Sequence, residues 1–99
     1  MAPRPRSAIL GVQGFPYSVT VHTLFFSVLR DAVGESEQSV SLPDGATGDT
    51  LLDTLAAQHT GIERYRSVVR LAVNRRYVPF DTPLADGDEV VLIPPVSGG

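Results

Sequence analysis

Glu89-Val90-Val91-Leu92-Ile93-Pro94-Pro95-Val96-Ser97-Gly98-Gly99 is an apolar run of strand length that passes through two prolines into bare glycines. Along an extended chain successive side chains alternate, so Val90 and Leu92 face one way and Val91 and Ile93 the other. Each proline fixes φ near −65° and bars the preceding residue from helix, which holds Pro94 and Pro95 extended. Gly98 and Gly99 then remove every side chain near the terminal carboxylate. A solvated end is the simplest reading of such residues. Strand, prolines and glycines in series favour another, in which the carboxylate of Gly99 is the reactive group and Pro94, Pro95, Val96, Ser97 and Gly98 deliver it.

Upstream, Asp86-Gly87-Asp88 is a tight turn that launches this strand. Pro79 and Pro83 make the segment before it a bend rather than a central strand. Val69, Leu71 and Val73 alternate inward in a strand, and Asn74-Arg75 or Arg75-Arg76 turns the chain into Tyr77-Val78. Thr47 is suited to cap a helix, with Asp49 in its first turn. Leu51, Leu52, Leu55 and Ala56 form its apolar stripe, and the helix is expected to end near Gly61. Residues 62–67 read as irregular, with room for one short turn.

At the other end of the pattern, Val19, Val21, Thr23 and Phe25 share one strand face, and Thr20, His22, Leu24 and Phe26 the other. Ser27 to Val33 reads as a short helix stopped by Gly34. Val40 and Leu42 alternate with Ser39 and Ser41, and Pro43-Asp44-Gly45 turns the chain. Strands around one substantial helix predict an α+β domain, a mixed sheet packed on one main helix. The expected organisation is a flexible leader over residues 1–18, the domain over 19–93 and the tail over 94–99. The leader carries three prolines and no usable period, and the natural start is expected near Val19 or Val21, a point that mass spectrometry of the native N-terminus checks.

Composition narrows the chemistry. The chain has 99 residues, 42% of them apolar, which suits one small core. Cysteine is absent, so any sulfur chemistry uses sulfur brought from outside. No apolar run approaches a membrane span, and the N-terminus has no signal-peptide core, so a cytoplasmic protein without membrane contact is expected. All eight cations are arginine, for which coding bias is favoured over selection against an amine nucleophile near an activated carboxylate. Beyond Arg4 and Arg6, six arginines stand against eleven acids, a net of −5, which argues against nucleic acid and for a basic protein partner. Asp86, Asp88 and Glu89 read as a solvated acidic corner with too few oxygens at set positions for calcium, and no metal site is expected. His22 and His59 pair with no nucleophile, and no triad, phosphate loop or dinucleotide fingerprint occurs.

The element order resembles the ubiquitin-like β-grasp fold, with the last strand central. More narrowly, residues 19–99 resemble the MoaD family, the small sulfur-carrying subunits of molybdopterin synthase. The resemblance rests on Leu24-Phe25-Phe26 with Arg30 and Val33-Gly34, and on the spacing of Ala72-Val73-Asn74, Pro83-Leu84, Asp86-Gly87-Asp88-Glu89-Val90 and Pro94-Pro95-Val96-Ser97-Gly98-Gly99. Asp31 follows Arg30 as the family's acid position varies. The resemblance implies that an E1-like adenylating enzyme joins Gly99 to AMP from ATP, and that a sulfur donor protein converts it to a thiocarboxylate. It implies further that the tail enters the large catalytic subunit and gives sulfur to a cyclic pyranopterin precursor in molybdenum cofactor biosynthesis. No cofactor is expected on this chain itself, and it would be the non-catalytic subunit of a heterotetramer. Alternatives are a carrier for thiazole, cysteine or transfer-RNA sulfur, a ubiquitin-like protein modifier, and an interaction module whose Gly-Gly is fortuitous.

Docking needs a surface beyond the tail. If Val21, Thr23, Phe25, Val90 and Leu92 face the helix, then Leu24, Phe26, Val91 and Ile93 fall on the outer face with Tyr77 beside them. Each such side chain contributes about 1.5–3 kcal/mol when fully buried. These five are the expected partner-binding residues.

Overall fold

The computed structural model describes residues 18–94. Strand β1 (Ser18–Phe25) leads into helix α1 (Ser27–Val33) and strand β2 (Glu37–Pro43). Helix α2 (Gly48–Gln58) and a 3-10 helix (Thr60–Tyr65) precede β3 (Arg70–Val73), β4 (Arg76–Val78) and β5 (Glu89–Ile93). The sheet runs β2-β1-β5-β3-β4. Its two central strands, β1 and β5, are parallel, and every other pairing is antiparallel. The last strand is therefore central and the sheet mixed, as expected.

Alternation assigns the core correctly. Val21, Thr23, Phe25, Val90 and Leu92 are fully buried, against Leu29 of α1 and Leu51 and Leu55 of α2. Register places Thr23 opposite Val90 and Phe25 opposite Leu92, so the two central strands present one continuous inner face. Thr23 alone brings a polar atom into it, and its Oγ1 has no hydrogen-bond partner.

Local chemistry explains the helix starts. Thr47 Oγ1 accepts from the Thr50 N–H at 3.4 Å and Thr50 Oγ1 accepts from the Thr47 N–H at 3.1 Å, a reciprocal cap. Gly48 follows because a Cβ there would lie 2.5 Å from Leu71 Cδ2 and 3.0 Å from the Phe80 carbonyl oxygen. That closeness lets the Gly48 and Asp49 amides donate to Thr82 and Phe80 carbonyls, which ties the proline-bearing segment across the start of α2. Phe26 is extended (φ −124°, ψ 154°), but Ser27 turns sharply at φ 53°. The chain thus leaves the sheet with Phe26 still at strand level and sends Leu29 into the core.

Three boundaries differ from the sequence reading. β1 starts at Ser18, one residue inside the expected leader, because Ser18 pairs with Pro43. Phe26 lies one residue past β1, as the cap of α1. α2 ends at Gln58 rather than near Gly61, and the stretch expected to be irregular is the 3-10 helix, whose Ile62 is 1% exposed and belongs to the core. Gly61 permits this, since a Cβ would sit 3.1 Å from Ala32 Cβ and hold α1 away. Arg66 then bonds Asp53 of α2, which fastens the turn.

Candidate functional site

Strand β5 divides its side chains between two tasks. Val90 and Leu92 are fully buried, while Val91 and Ile93 are half-buried on the opposite face. The same register carries that outer face across the sheet: Glu37, Leu24, Val91, Ala72 and Tyr77 stand opposite one another on five successive strands. Toward the end of β5, Ile93 stands opposite Arg70, and Phe26 reaches the level of Ile93 by continuing the β1 register one residue beyond Phe25 and Leu92.

All five expected docking residues therefore share one face. Tyr77 is 68% exposed and Phe26 51%, while Leu24, Val91 and Ile93 are partly covered by their strand neighbours. Sequence reasoning missed two members, Arg70 and Ala72. Ala72 is buried yet lies outside the core cluster, because it is small and sits between Val91 and Tyr77. The signal was present in the alternation that turns Leu71 inward, which must turn Arg70 and Ala72 outward.

Pro94, half-buried, is the last described residue and begins the tail at the edge of this face. Pro95, Val96, Ser97, Gly98 and Gly99 lie outside the described residues, as does the leader through Tyr17.

The acidic corner has a structural use. Asp86 Oδ1 accepts from the Thr20 N–H at 2.7 Å, and Asp88 Oδ2 accepts from the Ala85 N–H at 2.8 Å. Asp88 Oδ1 also accepts from Asn74 Nδ2 at 2.9 Å, so these carboxylates bind the start of β1 and the β3–β4 turn to β5. No group of three or more metal-ligating side chains gathers among the described residues. His22 Nε2 lies 2.5 Å from Glu37 Oε1, and His59 Nε2 lies 3.1 Å from Gln38 Oε1; both histidines tie β2 to its surroundings. An open depression of about 280 Å³ between α1 and the 3-10 helix is lined by Val28, Asp31, Ala32, Gly61, Arg64 and Tyr65, and takes no residue from the sheet. Among the described residues no helix is long and apolar enough to cross a membrane.

The ThiS family model matches residues 23–99, from the middle of β1 through the terminal glycine. This chain belongs to the ThiS family. A molybdopterin synthase sulfur carrier subunit from Chlamydomonas reinhardtii is 40% identical over 81 residues, covering 80% of this chain and 98% of the relative. Among solved structures, a putative molybdopterin converting factor subunit 1 from Pyrococcus furiosus is 34% identical with a TM-score of 0.72, covering 79% of this chain and 99% of that one. SAMP1 from Haloferax volcanii is 27% identical with a TM-score of 0.73, covering 81% and 99%. A chain in the complex of subunits 1 and 2 of molybdopterin-converting factor from Helicobacter pylori is 26% identical with a TM-score of 0.58, covering 82% and 100%. The fold is the ubiquitin-like β-grasp that the sequence resembles, and the resemblance to small sulfur-carrying subunits is borne out by these family members.

Proposed function

We propose that this chain is the sulfur carrier subunit of molybdopterin synthase, with the carboxylate of Gly99 as the group that carries sulfur. The observation that supports this most is the 40% identity to a sulfur carrier subunit over 98% of that relative's length. Family similarity extends through Gly98 and Gly99.

A carboxylate is a poor electrophile, because its charge repels nucleophiles and its leaving group is oxide. Activation is therefore required. An E1-like enzyme uses ATP to place AMP on the Gly99 carboxylate, and a sulfur donor protein supplies the sulfur that replaces AMP as a thiocarboxylate. This chain contributes geometry. Glycine at positions 98 and 99 lets the backbone thread a narrow channel and approach a nucleotide closely. Ordering six free residues costs roughly 6–12 kcal/mol, and prolines at 94 and 95 reduce that by narrowing the unbound ensemble.

The large catalytic subunit then receives the tail, and the outer face of Leu24, Phe26, Val91, Ile93 and Tyr77 docks against it. Sulfur passes to the cyclic pyranopterin precursor, and two loaded carriers serve each dithiolene. The reaction belongs to the cytoplasm, where ATP and the donor are found.

Incubating the protein with ATP, its adenylating enzyme and a sulfur donor tests the reading by intact mass. The expected result is a gain equal to exchange of one oxygen for sulfur at Gly99. Conjugates on lysines of other proteins would support the modifier reading instead, and an unchanged mass with no conjugates would overturn both. Product formation with the large subunit and the pyranopterin precursor separates this pathway from other sulfur acceptors.

A further inference from the structure

Charge is distributed unevenly over the outer sheet face. Alternation and register turn the acids Glu37 and Glu89, the imidazole of His22 and the guanidinium of Arg70 outward from the described strands. Glu89 lies at the end where β5 begins, level with His22 and with Asp86 and Asp88 just before it in the chain, while Glu37 stands at the β2 edge of the row that holds Leu24, Val91, Ala72 and Tyr77. Arg70 lies at the opposite end, level with Ile93 and one residue from the start of the tail. Leu24, Val91, Ala72 and Tyr77 form the apolar band between them.

The two ends also differ in how their charges are answered. Glu37 has His22 at 2.5 Å, and Glu89 has Arg75 at 3.8 Å. Arg70 is exposed, and among the described residues no carboxylate lies within 4.0 Å of its guanidinium.

We infer that Arg70 is a specificity-determining contact of the docking face, one that takes an aspartate or glutamate of the large catalytic subunit and fixes the direction in which the tail enters it. The inference rests on the sulfur-carrier reading. A partner that receives the tail must close over the residues at its base, Ile93 and Phe26, and so over Arg70. Covering a guanidinium without a counter-charge costs far more than neighbouring apolar burial returns. The covering surface therefore carries a carboxylate at that point. At the far end Glu89 has Arg75 beside it and Glu37 has His22, so among the described residues Arg70 is the outward charge left for the partner to answer. A face whose one unanswered charge lies beside the tail aligns a complementary partner in one orientation and disfavours the reversed one, which would leave Arg70 and the partner's carboxylate both without a counter-charge.

Calorimetric titration of the full chain with the large subunit of the same organism tests this. Wild type is compared with Arg70→Glu, Arg70→Leu and Arg64→Glu, the last a control on the helix side of the fold. Arg70→Glu is expected to weaken binding by at least about 30-fold. Arg70→Leu is expected to weaken it less and to flatten its dependence on salt, while Arg64→Glu matches wild type. Unchanged circular dichroism melts separate binding from folding. Reversing the opposed acid on the large subunit to arginine is expected to restore binding to Arg70→Glu. If wild type binds and Arg70→Glu binds within about twofold of it, or if Arg70→Leu binds more tightly than wild type, the inference is overturned. Failure of wild type itself to bind would instead overturn the reading on which it rests.

Discussion

Asn74 Nδ2 donates to Asp88 Oδ1 at 2.9 Å, while Asn74 Oδ1 accepts from the Glu89 N–H at 3.0 Å and the Asn74 N–H donates to the Glu89 carbonyl at 2.8 Å. One turn residue thus holds both the turn and the first residue of the strand that leads to the tail. Asn74 also sits at φ 50°, a left-handed conformation that asparagine tolerates better than most side chains. Asn74→Ala is expected to cost about 1–3 kcal/mol in urea denaturation, combining lost hydrogen bonds with left-handed strain. Asn74→Gly keeps the conformation and loses only the side chain, so it is expected to cost less. Equal losses for the two would show that conformation contributes nothing.

Thr23 is the opposite case, a polar group that the fold does not use. Its Oγ1 is buried without a partner between β2 and β5. Thr23→Val keeps the shape and removes the unsatisfied hydroxyl, and is expected to raise stability by about 1 kcal/mol. A loss of stability by thermal or chemical denaturation would mean that the hydroxyl is satisfied in solution.

The two-residue turn from β3 to β4 has φ 50° at Asn74 and 73° at Arg75. Such hairpin turns favour Asn-Gly. Arg75→Gly is expected to add about 0.5–1 kcal/mol, the left-handed strain removed less the extra entropy of glycine. Its ion pair with Glu89 is 3.8 Å long on an exposed arginine and contributes little. A melting temperature below that of wild type would contradict this.

Substitutions along β5 separate docking from folding. Ile93→Asp and Phe26→Asp are expected to leave a folded protein and to weaken binding to the large subunit by about 10- to 100-fold, as lost apolar burial of about 1.5–3 kcal/mol requires. Val90→Asp and Leu92→Asp place a charge among fully buried side chains and are expected to unfold the domain. Calorimetry beside circular dichroism distinguishes the pairs. Unfolding of Ile93→Asp would assign that residue to the core.

One residue appended after Gly99 should leave the melting temperature unchanged, since the core cluster of the described residues ends at Leu92. It should abolish sulfur loading as read by intact mass. A C-terminally extended protein that still gained sulfur would remove Gly99 from the chemistry.

Much of the fold was legible because each core strand alternates cleanly. Val19, Val21, Phe25, Val40, Leu42, Val90 and Leu92 fall inward as the period requires. The start of α2 was legible too, because Thr47 sits directly before the apolar stripe. What the period did not convey lies where contacts are distant in sequence. Ile62 belongs to the core only because the 3-10 helix closes against α1 through Gly61. Asp86 and Asp88 read as solvated until β1 and Asn74 are brought to them.

The sequence by itself determined the inward and outward sides of every strand, the position of the main helix and the family to which the chain belongs, because these follow from local periodicity and from motifs of fixed spacing. Only the tertiary structure decided which strands are neighbours. That pairing sets Leu24, Val91, Ala72 and Tyr77 in one row and Arg70 beside Ile93 at the base of the tail. Alternation fixes a side chain's face but not its lateral partner; register is set by hydrogen bonds between segments far apart in the chain, and the charge pattern of the outer sheet face exists only once they form.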